Sequence, residues 1–371
     1  MNMTSTPTPV SGPAPDDDYD ARWQRLQRAA APFGETGGLG NALRKLVRDQ
    51  IAAGAVPAYD RESVRIPGSG ACPPYFLVQA NPRRLARLAK VAAVAATAAA
   101  GELATPDQLD RDYIRRTNPM QLGLEIAPAI GGRPLIAWVQ PFPMAHSHCT
   151  VAAANACEQQ EWVDAAGQDR CAAVLSDTVA LATALGPDWI CFFNGKGSYT
   201  QRRYHLQVFE RAAADYPPFP LELATQAGVC TDPLPDAPPF VAGYPLAVLH
   251  FQGAPETVSR LALAWLHAWF RPGHRPRRER SANVIARARA EDGPVGSEVT
   301  LWIAPRSVDL TGSVRIPSAR LAALEVLGEL VVTSEADLAR LDAGAFTYAD
   351  LAGTLADVEP SEVRELRCPP I

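Results

Sequence analysis

The sequence is short of the features that mark secreted and nucleic-acid-binding proteins. Its charge is mild, with 35 Lys and Arg against 40 Asp and Glu, a formal net charge of −5 and a pI near 5.8. No domain-wide basic field is therefore available to bind the phosphates of a nucleic acid. The N-terminal stretch "MNMTSTPTPVSGPAPDDDYD" lacks both a cationic segment and an apolar one, so we expect no signal peptide.

Paired cysteines and long apolar runs are also missing. The seven cysteines, at positions 72, 149, 157, 171, 191, 230 and 368, form no C-x-x-C pair. An odd number in this spacing favours reduced thiols over a disulfide framework, which predicts a cytoplasmic protein. The most apolar stretch, residues 88–104, is mostly alanine and is interrupted by Lys90, Thr97 and Gly101. It predicts a soluble alanine-rich helix, so we expect no membrane partner.

Two glycine-containing segments are similar to nucleotide-binding motifs but lack a residue that each motif requires. In "NGKGSYTQ", Lys196 is followed by Gly197 where a P-loop requires a hydroxyl residue. In "GLGNAL", Leu43 occupies the place of the third glycine of a dinucleotide fingerprint, and no predicted strand precedes the segment. Neither segment therefore predicts the fold that its motif would require.

What the chain does have is length and apolar content sufficient for a large packed core, with 371 residues of which 47% are hydrophobic. Residues 1–22 have the composition of a disordered tail. We expect residues 23–214 to hold the catalytic core, residues 215–240 to form a proline-rich excursion, and residues 241–371 to complete the fold.

Hydrophobic periodicity predicts helices and strands that alternate along the chain. Gly186 and Pro187 provide the usual stop signal for one of these helices. Because the predicted strands lie close together in sequence, we expect an α+β fold around a largely antiparallel sheet with flanking helices. The predicted helices cover residues 21–30, 41–54, 88–104, 168–185 and 257–270, and the strands fall within 63–81, 135–154, 189–194, 202–210, 244–253, 282–290 and 298–307.

The segment "RRYHLQVFE", residues 202–210, contains the most informative histidine. A strand period of two places Arg203, His205 and Gln207 on one face and apolar residues on the other. An imidazole between a guanidinium and a carboxamide suits an anionic group such as a phosphate ester. By themselves these residues leave two readings open, a buried structural histidine and a reactive one.

Other histidines offer weaker alternatives. His146 and His148 lie two residues apart on a predicted strand beside Cys149, and with Cys157 or Cys191 they would provide ligand types that suit zinc. Their spacing is not diagnostic, so a zinc site stays an open alternative and we predict no metal. The remaining histidines are expected to pack or to lie in a solvated basic loop: His250, His267 and His274.

Several segments, taken in order, resemble the GDP-L-galactose and GDP-D-glucose phosphorylases, a branch of the histidine-triad and galactose-1-phosphate uridylyltransferase superfamily. "FFNGKGSYTQRRYHLQVF" is similar to the family's Asn, small-residue loop and H-x-H-x-Q strand. In "VQPFPMAHSHCTVA", Pro143 and His148 keep the family's five-residue interval between a proline and a histidine. The family's Asn-hydrophobic strand resembles "NVIARARA". Together the similar segments cover about residues 42–341.

The resemblance implies a histidine-triad-like, galactose-1-phosphate-uridylyltransferase-like fold and a nucleotidyl transfer in two steps. His205 would attack the α-phosphorus of a nucleotide sugar to form a nucleotidyl-histidine, and inorganic phosphate would then release a nucleoside diphosphate. Ser198 and Gln207 match positions that hydrogen-bond the phosphoryl oxygens, and Lys196 would add positive charge. The other residues expected to bind phosphate or nucleotide are Asn194, Gly197, Arg203 and His148.

One departure from the family affects the function. Arg203 stands where the family has histidine, and a guanidinium can clamp a phosphate but cannot carry a proton. Three readings follow: a nucleotide-sugar phosphorylase, a dinucleoside polyphosphate phosphorylase or hydrolase, and a non-catalytic nucleotide-binding protein. We expect a nucleotide substrate with inorganic phosphate and no required cofactor. A divalent cation accompanying the nucleotide and a homodimer are left open.

Overall fold

A computed structural model of the chain describes residues 16–36, 38–60, 62–82, 107–130, 132–155, 160–162, 169–196, 201, 203–211, 217–230, 239–270, 279–289, 298–310 and 312–363. Within these residues the helices are α1 Asp16–Thr36, α2 Gly38–Ala52, α3 Arg111–Thr117, α4 Cys171–Leu185, α5 Pro220–Ala227, α6 Pro255–Trp269, α7 Ala323–Val326, α8 Glu335–Asp342 and α9 Tyr348–Asp357. The predicted helix over residues 88–104 lies outside the described residues.

The strands form two sheets, and the larger one has ten strands in the order β3-β4-β5-β7-β6-β11-β12-β10-β9-β8. All of its neighbouring strands run antiparallel. The smaller sheet has the order β1-β2-β13, with β13 parallel to β2. The strands are β1 Ser63–Pro67, β2 Tyr75–Ala80, β3 Leu124–Ile130, β4 Arg133–Val139, β5 Cys149–Ala153, β6 Trp189–Asn194, β7 His205–Glu210, β8 Val229–Cys230, β9 Phe240–Val241, β10 Leu249–Gly253, β11 Arg280–Ala288, β12 Val299–Ser307 and β13 Glu329–Val332.

Each face of the large sheet packs against a different layer. Helices α2, α4 and α6 share one apolar cluster with one face, and that cluster includes Tyr204, Leu206 and Val208. The opposite face shares a second cluster with the small sheet and with the C-terminal helices, and that cluster includes Phe209 and Phe192. The predicted alternation is therefore confirmed for residues 204–209, and His205 and Gln207 belong to the face that opposes the small sheet.

The predicted α+β fold with a largely antiparallel sheet and flanking helices is confirmed. The sheet is continuous from β3 to β12, so residues 23–214 and 241–371 contribute strands to one sheet. Helix α4 ends at Gly186, whose φ of 87° lies in the region that favours glycine, as the stop signal predicted. None of the described helices combines the length and the apolar character needed to cross a membrane.

The N-terminal boundary differs from the prediction, because α1 begins at Asp16 inside the segment expected to be a disordered tail. Tyr19 and Trp23 are both buried, and Trp23 packs against Trp138 with ring centroids 5.5 Å apart. The indole of Trp23 also donates to Glu125 Oε1 at 2.8 Å. These long-range contacts provide the burial that the acidic, proline-flanked local sequence does not predict.

The proline-rich segment 215–240 is also more regular than expected. It contains α5 and the two short strands β8 and β9, while residues 231–238 lie outside the described residues. Pro220 opens α5 at its first turn, where a proline removes no intrahelical hydrogen bond. The high proline content of residues 215–240 therefore predicted irregular structure, whereas Pro220 in fact begins helix α5.

Candidate active site

A row of polar side chains crosses the face of the large sheet that opposes the small sheet. Asn194 at the end of β6 pairs with Asn283 of β11. The register of β6 and β7, in which Phe192 faces Gln207, brings Asn194 opposite His205. We call Asn283, Asn194 and His205 the polar row. All three are buried among strands whose other residues are mostly apolar.

A backbone contact fixes the tautomer of His205. Its side chain is 4% exposed, and its Nδ1 lies 2.8 Å from the backbone carbonyl oxygen of Arg203. Because a carbonyl oxygen can only accept, Nδ1 carries the proton, and the lone pair of the neutral imidazole is on Nε2. The ring is therefore oriented by a backbone contact that does not depend on which side chain occupies position 203.

Gln160 fixes the backbone around His205. Its Oε1 accepts from the backbone N–H of His205 at 2.7 Å, and its Nε2 donates to the carbonyl oxygens of His205 at 2.9 Å and Asn194 at 3.1 Å. One fully buried amide thus joins the end of β6 to the start of β7. No sequence motif marks Gln160, because this residue reaches the site only through the fold.

The amide of Gln207 is oriented by His148. The backbone N–H of Met144 donates to His148 Nδ1 at 3.2 Å, so His148 Nε2 carries the proton and donates to Gln207 Oε1 at 2.9 Å. The Nε2 group of Gln207 has no hydrogen-bond partner among the described residues. The arrangement leaves an oriented amide donor two residues along β7 from His205, on the same face of the sheet.

A buried hydrogen-bond network connects the His148–Gln207 contact to the small sheet. Gln79 of β2 donates through Nε2 to the carbonyl oxygen of Met144 at 2.8 Å and to Glu329 Oε1 at 3.0 Å.

His148 lies one residue before β5 and not on the strand where the sequence placed it. Both ring nitrogens of His148 contact protein groups, and its assignment to phosphate or nucleotide binding stays a prediction.

Arg203 is an ion-paired structural side chain in this fold. Its Nε lies 2.6 Å from Asp107 Oδ2 and its Nη2 lies 3.2 Å from Asp110 Oδ2, while Nη1 donates to the carbonyl oxygen of Ala153 at 3.2 Å. The guanidinium is 4% exposed. Two carboxylates and the carbonyl oxygen of Ala153 therefore already bind this guanidinium, and its assignment to phosphate binding stays a prediction.

The loop residues expected to bind phosphate are only partly described. Asn194 Oδ1 accepts from the backbone N–H of Ala323 at 2.9 Å and thereby fixes the start of α7. Lys196 lies 3.6 Å from Glu161 Oε1 and is 39% exposed. Gly197 and Ser198 lie outside the described residues. Their assignment to phosphate binding stays a prediction.

The alternative zinc site has no matching cluster: within the described ranges, no three His, Cys, Asp or Glu side chains are grouped as metal ligands. Cys149 and Cys191 point into the cluster beneath the helices, on the opposite face from His148. His146 instead packs against Tyr59 with ring centroids 4.7 Å apart. Cys157 lies outside the described residues.

His250 lies at the other end of the same face, in a cavity of about 330 Å³ that it shares with Arg287 and Arg289. Burial, with a smaller contribution from the charge of Arg289, lowers the pKa of His250 to about 4. His267, by contrast, is partly exposed and lies 3.4 Å from Asp169. His274 lies outside the described residues.

The lowered pKa of His250 predicts a loss of stability in acid. The unfolded chain binds a proton near the ordinary pKa of about 6.5, whereas the folded chain binds it only near pH 4, so stability falls as the pH decreases through this window. We expect His250→Gln to reduce this fall, measured by denaturant unfolding at about pH 7 and about pH 4.5. Equal falls in both proteins would contradict the assignment.

Comparison with protein-family models and with curated proteins found no match to this chain. Solved structures share its fold. Yeast Ap4A phosphorylase Apa2 matches with a TM-score of 0.57 and 13% identity over 85% of this chain and 97% of that chain. Its complexes with AMP and with Ap4A match with TM-scores of 0.55 and 0.53 and identities of 14% and 12%, over 85% of this chain and 96% and 97% of theirs. The chain therefore has an α+β fold similar to that of yeast Ap4A phosphorylase Apa2.

Proposed function

We propose that the chain is a nucleotidyl phosphorylase in which His205 is the covalent nucleophile. The observation that supports this most directly is the contact from Nδ1 of His205 to the carbonyl oxygen of Arg203, which leaves the lone pair on Nε2. Beside it, Gln207 presents an amide whose N–H donors have no partner among the described residues. These two groups are what an attack on a phosphate ester requires.

The chemistry proceeds in two displacements at one phosphorus atom. The Nε2 lone pair of His205 forms a bond to the α-phosphorus, and the bond from that phosphorus to the leaving phosphate oxygen breaks. Inorganic phosphate then attacks the same phosphorus, the P–N bond breaks, and a nucleoside diphosphate leaves. Charge develops on the phosphoryl oxygens in both steps, and the Gln207 amide and the loop around Ser198 would stabilise it.

A dinucleoside polyphosphate is the substrate that we place first. Support comes from the fold, since the similar solved structures are those of yeast Ap4A phosphorylase Apa2, in complexes with AMP and Ap4A. A nucleotide sugar is the second candidate, and it is favoured by the order of the sequence segments that resemble the GDP-sugar phosphorylases. The two candidates share the step at His205 and differ in the leaving group.

The replacement of histidine by Arg203 weighs less against catalysis than the sequence suggested. The contact that orients His205 uses the backbone carbonyl of residue 203, which every amino acid supplies. The Arg203 guanidinium binds Asp107, Asp110 and the carbonyl oxygen of Ala153. These contacts hold residue 203 in place just before β7 begins. We therefore propose that Arg203 positions His205 without touching the nucleotide.

The test is a panel of dinucleoside polyphosphates and nucleotide sugars, each with and without inorganic phosphate and with and without Mg²⁺. We expect a nucleoside diphosphate as product only when phosphate is present, and an acid-labile nucleotidyl adduct in the intact mass of the protein when it is absent. Ligand-induced thermal stabilisation with no adduct and no product would instead support the non-catalytic alternative.

A further inference from the structure

The cavity that contains His250 lies on the same face of the large sheet as the polar row but at the other end of β11. Its volume is about 330 Å³. Arg287, in its lining, follows Asn283 by four residues on that strand, which corresponds to roughly 13 Å along the sheet. The exposed side chains of Gln226 and Gln252 also line the cavity, so it opens to the surface. The cavity is therefore separate from the site at His205.

Guanidinium groups give this cavity an excess of positive charge. Glu222, the carboxylate in its lining, is shared between two arginines: Oε1 lies 2.8 Å from Nη1 of Arg287, and Oε2 lies 2.8 Å from Nη2 of Arg211. Arg289 also lines the cavity, and its Nε lies 3.9 Å from Oε2 of Glu298, which is 49% exposed. These contacts join three guanidiniums to two carboxylates.

The ionisation of the cavity residues reflects that excess. Burial and, after it, the charge of Arg211 lower the pKa of Arg287, against the opposing effects of Glu222 and Asp188. Burial and the charge of Arg289 lower the pKa of His250. Both shifts mean that the cavity disfavours further positive charge, and a bound anion would oppose both. The electrostatics of the cavity therefore favour an anionic occupant.

Hydrogen-bonding groups and an aromatic wall complete the lining. Arg287 donates through Nε to the carbonyl oxygen of Pro187 at 2.9 Å and through Nη1 to Glu222, and its Nη2 has no hydrogen-bond partner among the described residues. The hydroxyl-bearing Thr300 is 7% exposed and lines the cavity from β12. The rings of His250 and Trp302 form one wall, with centroids 6.1 Å apart.

We propose that this cavity binds a small anionic metabolite through a carboxylate or phosphate group held by Arg287 and Arg289. A guanidinium binds either oxyanion with paired N–H donors, and Thr300 would add a hydroxyl donor. Glu222 keeps Arg211 as a partner when Arg287 also binds the ligand. The volume is at the small end of the range for ligand sites, which suits a compact metabolite. The inference does not depend on the proposed function, because this cavity takes no part in the transfer at His205.

The experiment measures the binding of three small probes by calorimetry. Malate carries carboxylates, glycerol 3-phosphate carries a phosphate, and glycerol is the uncharged comparison. The full chain is used as the wild type and as Arg289→Gln, Thr300→Val and Arg48→Gln. Arg48, an exposed arginine of α2 outside the cavity, provides the matched control.

The position of the bound probe is read from the ring signals of isotopically labelled histidines in NMR spectra. The signal of His250 is assigned by its absence in His250→Gln. A probe in this cavity shifts that signal, whereas a probe bound beside the nucleophile shifts the signal of His205. The two sites are thereby distinguished even if glycerol 3-phosphate binds at both.

We expect at least one of the two oxyanions to bind and to shift the His250 signal, with equal affinity in the wild type and in Arg48→Gln. Glycerol should do neither. Arg289→Gln should weaken this binding by about tenfold, as for the loss of a charge-assisted contact, and Thr300→Val by about threefold. The thermal midpoint of Arg289→Gln should stay near that of the wild type, since its partner Glu298 is half-exposed. The stronger of the two oxyanions identifies the group that the cavity prefers.

Three results would overturn the inference: no binding of either oxyanion at millimolar concentrations, binding that leaves the His250 signal unchanged, or equal affinity in the wild type and in Arg289→Gln. None of them concerns the nucleotidyl adduct, so the proposed function would stand. Conversely, absence of the adduct together with oxyanion binding in this cavity would reject the proposed function alone.

Discussion

Replacing His205 by alanine is expected to lower turnover by more than about 10⁴-fold and to remove the nucleotidyl adduct completely. The loss is large because no other group can form the P–N bond, and removal of a covalent nucleophile has effects of this size. The fold should remain, since the backbone of residue 205 is held by Gln160 through its N–H and carbonyl groups and not through the imidazole. Intact mass and initial rates measure the two effects.

His250→Ala is the matched control for this experiment. It removes an imidazole from the same face of the same sheet, but at a position whose cavity is lined by Arg287 and Arg289 and not by the polar row. Adduct formation in this variant should equal that of the wild type at about pH 7. An adduct in His205→Ala, or its loss in His250→Ala with the fold intact, would reject the assignment of the nucleophile.

Replacing Arg203 by methionine is expected to lower the free energy of unfolding by about 2–4 kcal/mol. The substitution leaves two carboxylates and two backbone carbonyl oxygens without the guanidinium that they share. Asp107 and Asp110 are 33% and 41% exposed and can regain water, so the loss should be smaller than for a fully buried ion pair. Denaturant unfolding measures it.

Arg315→Met provides the comparison, because Arg315 and Asp357 are 47% and 37% exposed. An exposed ion pair of this kind contributes at most about 1 kcal/mol. Arg203→His, which restores the residue type of the family, should also lower stability and should not raise the rate of adduct formation. A higher rate in Arg203→His would mean that the arginine impairs catalysis and would favour the non-catalytic reading of the wild type.

Local patterns predicted much of the fold, and the reason is physical. The alternation in "RYHLQVFE" depends only on the strand period, so it placed His205 and Gln207 on one face correctly. Glycine and proline stops predicted the end of α4 because their backbone preferences act locally. The boundary at Asp16 was missed because the burial of Tyr19 and Trp23 comes from contacts with residues about 100 positions away.

The same division applies to the candidate site. Sequence and resemblance identified His205, Gln207 and His148 as functional candidates, since each lies within a recognisable segment. They gave no signal for Gln160 and none for the carboxylates that pair with Arg203, because those residues reach the site from other segments of the chain. Asn283 lay within a segment similar to the family, but only the packed sheet shows that its Oδ1 accepts from the backbone N–H of Gly195.

The sequence by itself determined that the residues of β7 alternate between the two faces of the sheet and that α4 ends at Gly186. It also determined that His205 and Gln207, two residues apart, lie on the same face. Backbone periodicity and local conformational preference are sufficient for these. Only the tertiary structure decided that the Arg203 guanidinium is ion-paired, that the backbone carbonyl of Arg203 orients His205, and that the Asn283 side chain accepts from Gly195. Those outcomes depend on which groups from distant segments come within hydrogen-bond distance, and no local pattern encodes that distance.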